Sequence, residues 1–385
     1  MEEGRRRKKI AFVIGSFGKG GAERVAVNLA QHFYKNGYEI LLVTSRRVPE
    51  EYDITFPAKR RLLEDEIKNT PFGRLGKIPA RVRGLRAIWR QERPDIIVAF
   101  IGKMNLYTML SVGRRKIPVI LSVRSDPARE YPSRLQKNLA DRLFARAAGV
   151  IFQTEDAMGT FPPQVRQRSS VLPNALDESF MKARYEGPRD NEIVMVGRLD
   201  ANKNHQLLLR AFARLHRDYP EMKVVIYGGG LPGSDTEPML RSLCRELGIE
   251  DKVRFMGRQT NIRERTERAR VFVLASDYEG MPNALLEAMA EGLAVIATDC
   301  PCGGPRSVIR NERNGILIPV GDGAALEQAL RRILDDEELA QRLGRAAAGL
   351  AQELSPEKVC KKWQEEIEGR ARDYVSSKPQ EKARR

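Results

Sequence analysis

The sequence predicts an open α/β protein with parallel sheets, laid out twice. Short β-branched apolar runs alternate with helical stretches along most of the chain. Several of those runs open into a glycine-rich or polar loop that leads straight into a helix start. The alternation breaks once, across MKARYEGPRD at 181–190, and then begins afresh. At 385 residues and 42% hydrophobic, the chain has material for two cores of ordinary size.

Residues 10–14 form the first apolar strand, running into GSFGKGGAERVAVNLAQHFYKNG. Gly15, Gly18, Gly20 and Gly21 lead into a helix carrying Val25, Val27, Leu29 and Phe33, closed by Asn36 and Gly37. The loop lacks the Lys-Ser/Thr of a Walker loop, and the third glycine position of a dinucleotide fingerprint is Glu23. Two readings remain, a backbone that approaches a ligand closely or a tight turn made by glycine. Strands follow at 40–44, 96–100, 119–123 and 150–153, with helical stretches between. The stretch 59–93 is rich in Arg and Lys and carries Leu75, Ile78, Val82, Leu85, Ile88 and Trp89 mostly in threes and fours. Pro79 marks a first helical turn there, which puts Leu75 and Ile78 outside the helix. That stripe suits either a membrane surface or packing onto the domain.

The second half restarts with a strand at 192–196. Gly197 turns the chain out of it, Arg198 and Lys203 lie in the turn, and a helix spans 205–218. Two cations at the carboxyl end of a strand suit a diphosphate, Arg through its fork and Lys as a point charge. A strand at 223–227 ends in Gly228, Gly229 and Gly230, and another at 253–256 leads into GRQTNI. The central stretch is VFVLASDYEGMPNALLEAMAEG: a buried strand at 271–274, a polar loop with Glu279, and a helix opened by Pro282 with Asn283 as its cap. A helix start at the carboxyl end of a strand offers N–H groups and a positive dipole to an anion. Glu279, and Glu287 eight positions later, bracket that place; they either accept hydrogen bonds from sugar and ribose hydroxyls or are a solvated loop Glu and a helix-surface Glu. Strands at 294–298 and 315–320, a helix from 323 and a last helix from Pro356 complete the domain. Val359, Trp363 and Ile367 give that last helix one narrow stripe to bury, and the tail from Ser376 reads as disordered.

Cys244, Cys300, Cys302 and Cys360 form no CxxC pair, and Cys300 and Cys302 read as loop residues, so neither a metal site nor a disulfide framework is expected. No apolar run is long enough to span a membrane, and the N-terminus lacks a signal-peptide core, so a cytoplasmic protein is expected. Residues 1–187 hold 35 Lys and Arg against 20 Asp and Glu, and the rest hold 32 against 31, so nearly all of the net charge of +16 belongs to the first half. Such a face attracts an anionic membrane surface or nucleic acid, or serves only as a solubilising surface. Nucleic-acid reading motifs and interleaved aromatics are missing, with aromatics only 6% of the chain, so no nucleic-acid partner is expected.

Taken together, GGAE near the start, GRLDANKNH at 197–205 and DYEGMPNALLEAMAEGLAVIATD at 277–299 resemble glycosyltransferase family 4. The likeness covers nearly the whole chain and is densest in the second half. It implies a GT-B fold: an α/β chain of two Rossmann-like domains facing across a cleft, 1–180 for the acceptor and 181–355 for the nucleotide-sugar, with a helix at 356–375 crossing back. It implies a retaining, metal-free transfer with no cofactor beyond the nucleotide-sugar itself, and no Asp-x-Asp occurs in the chain. By resemblance Arg198 and Lys203 hold the diphosphate and Glu279 faces the donor sugar. The amides around Asn283, Ala284 and Leu285 cap the phosphate, and Glu287 binds ribose. Gly20 and Gly21 approach the transferring group, and Gly229 lies in a further ligand-facing loop. CPCGGPRSV is similar to members that build bacterial surface polysaccharides from UDP-hexoses or UDP-N-acetylhexosamines on lipid carriers, which implies a lipid-linked saccharide acceptor and a peripheral position at the inner face of the cell membrane. One departure stands out. Many members carry a His after the strand at 119–123, where this chain has SVRSDP and Arg124, a residue suited to orienting the donor sugar or stabilising a phosphate but not to acting as a base near neutral pH. Other readings are a sugar-nucleotide epimerase or phosphorylase of the same fold, and a non-catalytic basic binding protein.

Overall fold

The computed structural model describes residues 7–67, 77–113, 115–230 and 233–377. The chain divides into two compact units, Met1–Asn174 with Glu357–Arg385, and Ala175–Pro356. The first contains β1 (Lys9–Ile14), β2 (Glu39–Thr44), β3 (Lys59–Leu62), β4 (Ile96–Phe100), β5 (Val119–Ser122), β6 (Gly149–Phe152) and β7 (Ser169–Val171). They pair in parallel in the order β3-β2-β1-β4-β5-β6-β7. The second contains β8 (Asp190–Val196), β9 (Lys223–Tyr227), β10 (Val253–Phe255), β11 (Ala269–Leu274), β12 (Ala294–Thr298) and β13 (Ile316–Ile318), parallel in the order β10-β9-β8-β11-β12-β13. Both are Rossmann-like, as the alternation predicted.

Central strands such as β1 and β4 are buried along almost their whole length, because helices cover both faces of a parallel sheet. The edge strands β3 and β7 escape the apolar pattern. β3 reads KRRL, and its side chains are held by charge: Arg60 pairs with Glu51 at 2.6 Å and Arg61 with Glu92 at 2.8 Å. Charged side chains are a common protection for a sheet edge. In each sheet the chain leaves the central pair in opposite directions, so the switch points lie at the carboxyl ends of β1 and β4 and of β8 and β11, where open α/β sheets bind ligands.

Three expectations need correction. The unit boundary falls between Asn174 and Ala175 rather than at 180. The intervening segment is tied to the second unit, since Phe180 is buried, the Leu176 N–H donates to the Leu354 carbonyl at 2.9 Å, and Arg263 donates to the carbonyls of Ser179 and Lys182 at 2.8 and 3.2 Å. The basic helix spans Lys77–Glu92 and so includes Ile78, while Leu75 lies outside the described residues. Its stripe is not a surface for a membrane: Val82, Leu85, Ile88 and Trp89 are buried, the helix packs on Gly102–Val112, and the Trp89 indole N–H donates to Ser111 Oγ at 2.8 Å. The last helix runs Pro356–Ser376, which places Ser376 in the helix, and the tail from 378 lies outside the described residues.

From Glu357 onward that helix belongs to the first unit. Val359, Trp363 and Ile367 are buried, and the Trp363 ring stacks on Phe100 of β4 with centroids 6.3 Å apart. All four cysteines are free and buried. Among the described residues no three His, Cys, Asp or Glu side chains gather closely enough to hold a metal, and no helix is long and apolar enough to cross a membrane.

Candidate active site

β8 ends at Val196 and the chain must turn sharply. Gly228, at φ 142° after β9, makes room for that turn, since a Cβ on it would lie 1.7 Å from the Gly197 carbonyl oxygen. The Leu199 N–H then donates to the Gly229 carbonyl at 3.2 Å, and a Cβ on Gly229 would sit 3.2 Å from the Arg258 side chain. Within the turn Asp200 accepts from the Lys203 N–H at 3.3 Å and from Arg198 Nε at 3.1 Å. Arg198 remains 60% exposed, whereas Lys203 is 16% exposed. One cation therefore faces solvent and the other is fixed.

What fixes Lys203 is the loop after β11. Its ammonium meets the Glu279 carboxylate, and Ser276 Oγ donates to the same oxygen at 2.7 Å. Two asparagines fasten the loops together. Asn202 Nδ2 donates to the Tyr278 carbonyl at 3.1 Å, while Asn202 accepts from the Tyr278 N–H at its side chain and from the Asp277 N–H at its own carbonyl, at 3.2 and 2.9 Å. Asn204, held at φ 48°, donates through Nδ2 to Asp277 at 2.9 Å. On the far side, Gly304 lets the chain pass Gly280, since a Cβ there would lie 1.6 Å from the Gly280 carbonyl oxygen. Arg198, Lys203 and Glu279 thus share the switch point between β8 and β11. Sequence reading missed Asn202, Asn204 and Asp277, although DANKN carried a signal: residues that cap turns, clustered at a strand end.

The helix Asn283–Ala290 opens beside that loop. Pro282 is its N-cap and Asn283 its first residue, and no side chain caps it, which corrects the expectation that Asn283 would. The Leu285 N–H is engaged in the first turn, donating to the Pro282 carbonyl at 3.1 Å. That bond makes the Leu285 N–H less available to an anion, and the Leu285 side chain is fully buried. Glu287 stands one turn in and is buried, with 8% exposure.

The remaining expected residues belong to the first unit. Gly20 is the N-cap of the helix Gly21–Lys35 at the carboxyl end of β1; its N–H donates to Gly18 at 2.7 Å and its carbonyl accepts from the Tyr52 hydroxyl at 3.3 Å. Arg124 follows β5 and is 8% exposed. Its Nη2 donates to Asn174, its guanidinium lies 5.4 Å from the centre of the Trp363 ring, and Nε and Nη1 have no protein partner among the described residues. Burial pushes it down to about 9, with Glu130 opposing, so it remains a cation at neutral pH. Glu130, which sequence reading did not single out, accepts from the Gly102 and Arg124 N–H groups at 2.8 and 3.0 Å, and burial raises it to about 7 against those bonds. Beside it the backbone is strained, with Ile101 at φ 67°. None of the three histidines is placed as a general base at these loops: His32 contacts Gln364, His216 contacts its own helix, and burial holds His205 down to about 4.

Two family models match in succession, Glycosyltransferase Family 4 over residues 19–180 and Glycosyl transferases group 1 over residues 177–349. A Campylobacter jejuni enzyme named GalNAc-alpha-(1->4)-GalNAc-alpha-(1->3)-diNAcBac-PP-undecaprenol alpha-1,4-N-acetyl-D-galactosaminyltransferase is 26% identical over 361 residues, covering 92% of this chain and 97% of its own. The lipopolysaccharide core biosynthesis glycosyltransferase LpsE of Rhizobium meliloti is 28% identical, covering 85% and 89%. Among solved structures, Anabaena Alr3699/HepE in complex with UDP superposes with a TM-score of 0.78 at 19% identity, covering 94% of this chain and all of that one. Such a likeness shows the GT-B fold. With a Family 4 first half and a group 1 second half, the chain belongs to the glycosyltransferases.

Proposed function

We propose that the protein moves a hexose or N-acetylhexosamine from a nucleotide-sugar, with UDP as the nucleotide, to a lipid-linked saccharide during cell-surface polysaccharide or glycan biosynthesis. The observation that carries this is the fastening of the Arg198–Lys203 turn to the Glu279 loop beside a helix start. A nucleoside diphosphate is the ligand such a place suits, because cations and helix amides meet its charge while Glu279 and Glu287 accept from hydroxyls on either side. UDP is favoured by the Anabaena structure, and the lipid-linked acceptor by the name of the Campylobacter relative.

In the step proposed, the bond from the sugar's anomeric carbon to the diphosphate oxygen breaks and an acceptor hydroxyl oxygen bonds to that carbon. The hydroxyl proton passes to the departing diphosphate oxygen, and the nucleoside diphosphate leaves. Arg198 and Lys203 offset the charge that grows on the leaving group, the kind of stabilisation that contributes most to such reactions. Asn283 and Ala284 amides add the helix dipole, so no metal and no separate cofactor is called for. Glu279 orients the donor sugar, Glu287 the ribose, and Gly20, Gly21 and Gly229 let backbone approach the substrates. On the first unit, Arg124 offers Nε–H and Nη1–H to a substrate oxygen where the family resemblance implies a His. Retention of anomeric configuration rests on the family resemblance.

The test is a panel of UDP-, GDP- and ADP-sugars with membrane lipid extract, reading nucleotide release and glycolipid formation. Release from one UDP-sugar that depends on lipid is expected. Nucleotide release that needs no acceptor, or interconversion of the donor without release, points to the epimerase or phosphorylase chemistry instead.

A further inference from the structure

The C-cap of the helix that carries Glu287 is a second buried carboxyl that the proposed reaction does not use. Glu291 is 1% exposed and stands one turn beyond Glu287, so the two side chains share a helix face. Both border a cavity of about 10 Å³ that also touches Thr266, Val196, Ile262 and Phe272. Two carboxylates cannot both be charged cheaply in such surroundings.

The hydrogen bonds decide which one keeps its proton. Thr266 Oγ1 lies 2.8 and 3.0 Å from the two Glu291 oxygens and 2.9 Å from the Ile262 carbonyl oxygen. A hydroxyl has one proton to give. If Glu291 is ionised, Thr266 must choose between a carboxylate and a carbonyl, and one acceptor goes without. If Glu291 is protonated, it donates to Thr266 Oγ1, Thr266 donates to Ile262, and the chain is complete. Burial, together with Glu287, accordingly raises Glu291 to about 8, against the bond from Thr266 and the charge of Arg263. The other charges around it are Glu267, which opposes ionisation, and Arg189, whose guanidinium donates to the Glu291 backbone carbonyl at 3.3 Å.

We propose that Glu291 is a positioning residue for the nucleoside site: kept neutral through Thr266, it backs Glu287 without competing with it and so holds that carboxylate in place for a ribose. The inference rests on Glu287 binding the nucleoside, and it adds a consequence which that reading lacks. When Glu291 loses its proton, a second negative charge appears one turn behind Glu287 in an apolar setting. That charge pushes the Glu287 carboxylate out of position and repels an anionic nucleotide. Binding and deprotonation are then coupled, and the coupling is reciprocal: saturating nucleotide must raise the pH at which Glu291 ionises.

Calorimetric titration of UDP into the full chain at pH 7.0 and pH 9.0 tests this with wild type, Glu291→Gln, Thr266→Val and Glu287→Gln. Wild-type affinity should fall on the order of fivefold more than that of Glu291→Gln, which stays neutral and meets the same titration of UDP itself. Thr266→Val should keep its pH dependence with a shifted midpoint, and it serves if Glu291→Gln does not fold. Equal pH dependence in wild type and Glu291→Gln, or an unshifted midpoint in Thr266→Val, overturns the positioning role. Unchanged UDP affinity in Glu287→Gln at pH 7.0 instead overturns the ribose assignment beneath it, so the two failures are distinguishable.

Discussion

The ammonium of Lys203 is held by the carboxylate of Glu279, 76 residues further along the chain, and Ser276 donates to the same carboxylate oxygen. The pair is mostly buried, so removing one partner leaves the other desolvated and unmet. Lys203→Ala is expected to lower kcat and to loosen the loop at the same time. Glu279→Gln, which keeps the shape and the Ser276 contact, should retain the fold and lose about 10-fold or more in kcat/KM, since it frees Lys203 from its anchor. Unaltered kinetics in Glu279→Gln, measured with saturating and limiting donor, speaks against a role for the pair.

Two glycines are required by contact with backbone. A Cβ on Gly228 would lie 1.7 Å from the Gly197 carbonyl oxygen, and one on Gly304 would lie 1.6 Å from that of Gly280. Backbone cannot move aside as a flexible side chain can. Gly304→Ala is therefore expected to destabilise the second unit by about 2 kcal/mol or more and to displace the Glu279 loop. Urea unfolding followed by tryptophan-independent far-UV dichroism measures the first effect, and a midpoint equal to wild type contradicts it.

Trp363 does two things at once, stacking on Phe100 in the first unit and lying under the Arg124 guanidinium. Trp363→Ala should cost roughly 3–5 kcal/mol of stability, the usual range for a buried aromatic. Trp363→Phe should recover most of that while weakening the cation–π contact. A Trp363→Ala protein as stable as wild type would show that the last helix is dispensable to the first unit.

Stability should also depend on pH through Glu291. Its carboxyl binds a proton more tightly in the folded protein than in the unfolded chain, so the unfolded chain releases that proton first. Wild type should therefore lose stability relative to Glu291→Gln as pH rises from about 4.5 to about 8, the raised value, and the difference should level off above it. A stability difference that grows as pH falls through the same window has the wrong sign and contradicts a buried neutral acid.

The first unit's charge makes a separate prediction about membranes. Arg83, Arg90 and Ile78 are exposed on the helix Lys77–Glu92, while Val82, Leu85, Ile88 and Trp89 are buried, so contact with a bilayer would be chiefly electrostatic. Each cation near an anionic surface contributes about 1 kcal/mol at most, and the attraction is screened by salt. Sedimentation with liposomes should show binding that rises with the anionic fraction and disappears in high salt. Protein left in the supernatant at low salt with anionic liposomes removes the membrane from the account.

Much of this architecture was legible because parallel strands buried on both faces have little choice but to be apolar runs, and because each run ended in a loop with recognisable turn chemistry. β3 and β7 were not legible: KRRL and SSV are edge strands whose side chains answer to ion pairs and solvent. The Arg198, Lys203, Glu279 and Glu287 positions could be placed on the correct loops and helix from sequence, since strand ends at a switch point are few. The bonds of Asn202 and Asn204 to the neighbouring loop join residues more than seventy positions apart, and no local pattern encodes them. The basic helix misled for a physical reason. Apolar residues spaced in threes and fours describe a buried face and a lipid-facing one equally well, and only the packing of Val82, Leu85, Ile88 and Trp89 tells them apart.

Metal independence is proposed on the same electrostatics, with Arg198, Lys203 and the helix start at Asn283 meeting the diphosphate charge. Saturating EDTA should leave the transfer rate unchanged. A rate abolished by EDTA and restored by Mg²⁺ or Mn²⁺ contradicts that assignment.

The turn after β8 is proposed to stabilise a departing nucleoside diphosphate. The most direct measurement is single-turnover transfer from a UDP-sugar to lipid-linked acceptor, comparing wild type with Arg198→Ala, whose side chain is largely exposed and removable without unfolding the domain. The rate in Arg198→Ala should be lower by roughly 10²-fold or more with UDP-sugar binding much less affected, the mark of an interaction made chiefly in the transition state. A wild-type rate in Arg198→Ala, or a loss confined to donor binding, would contradict that role.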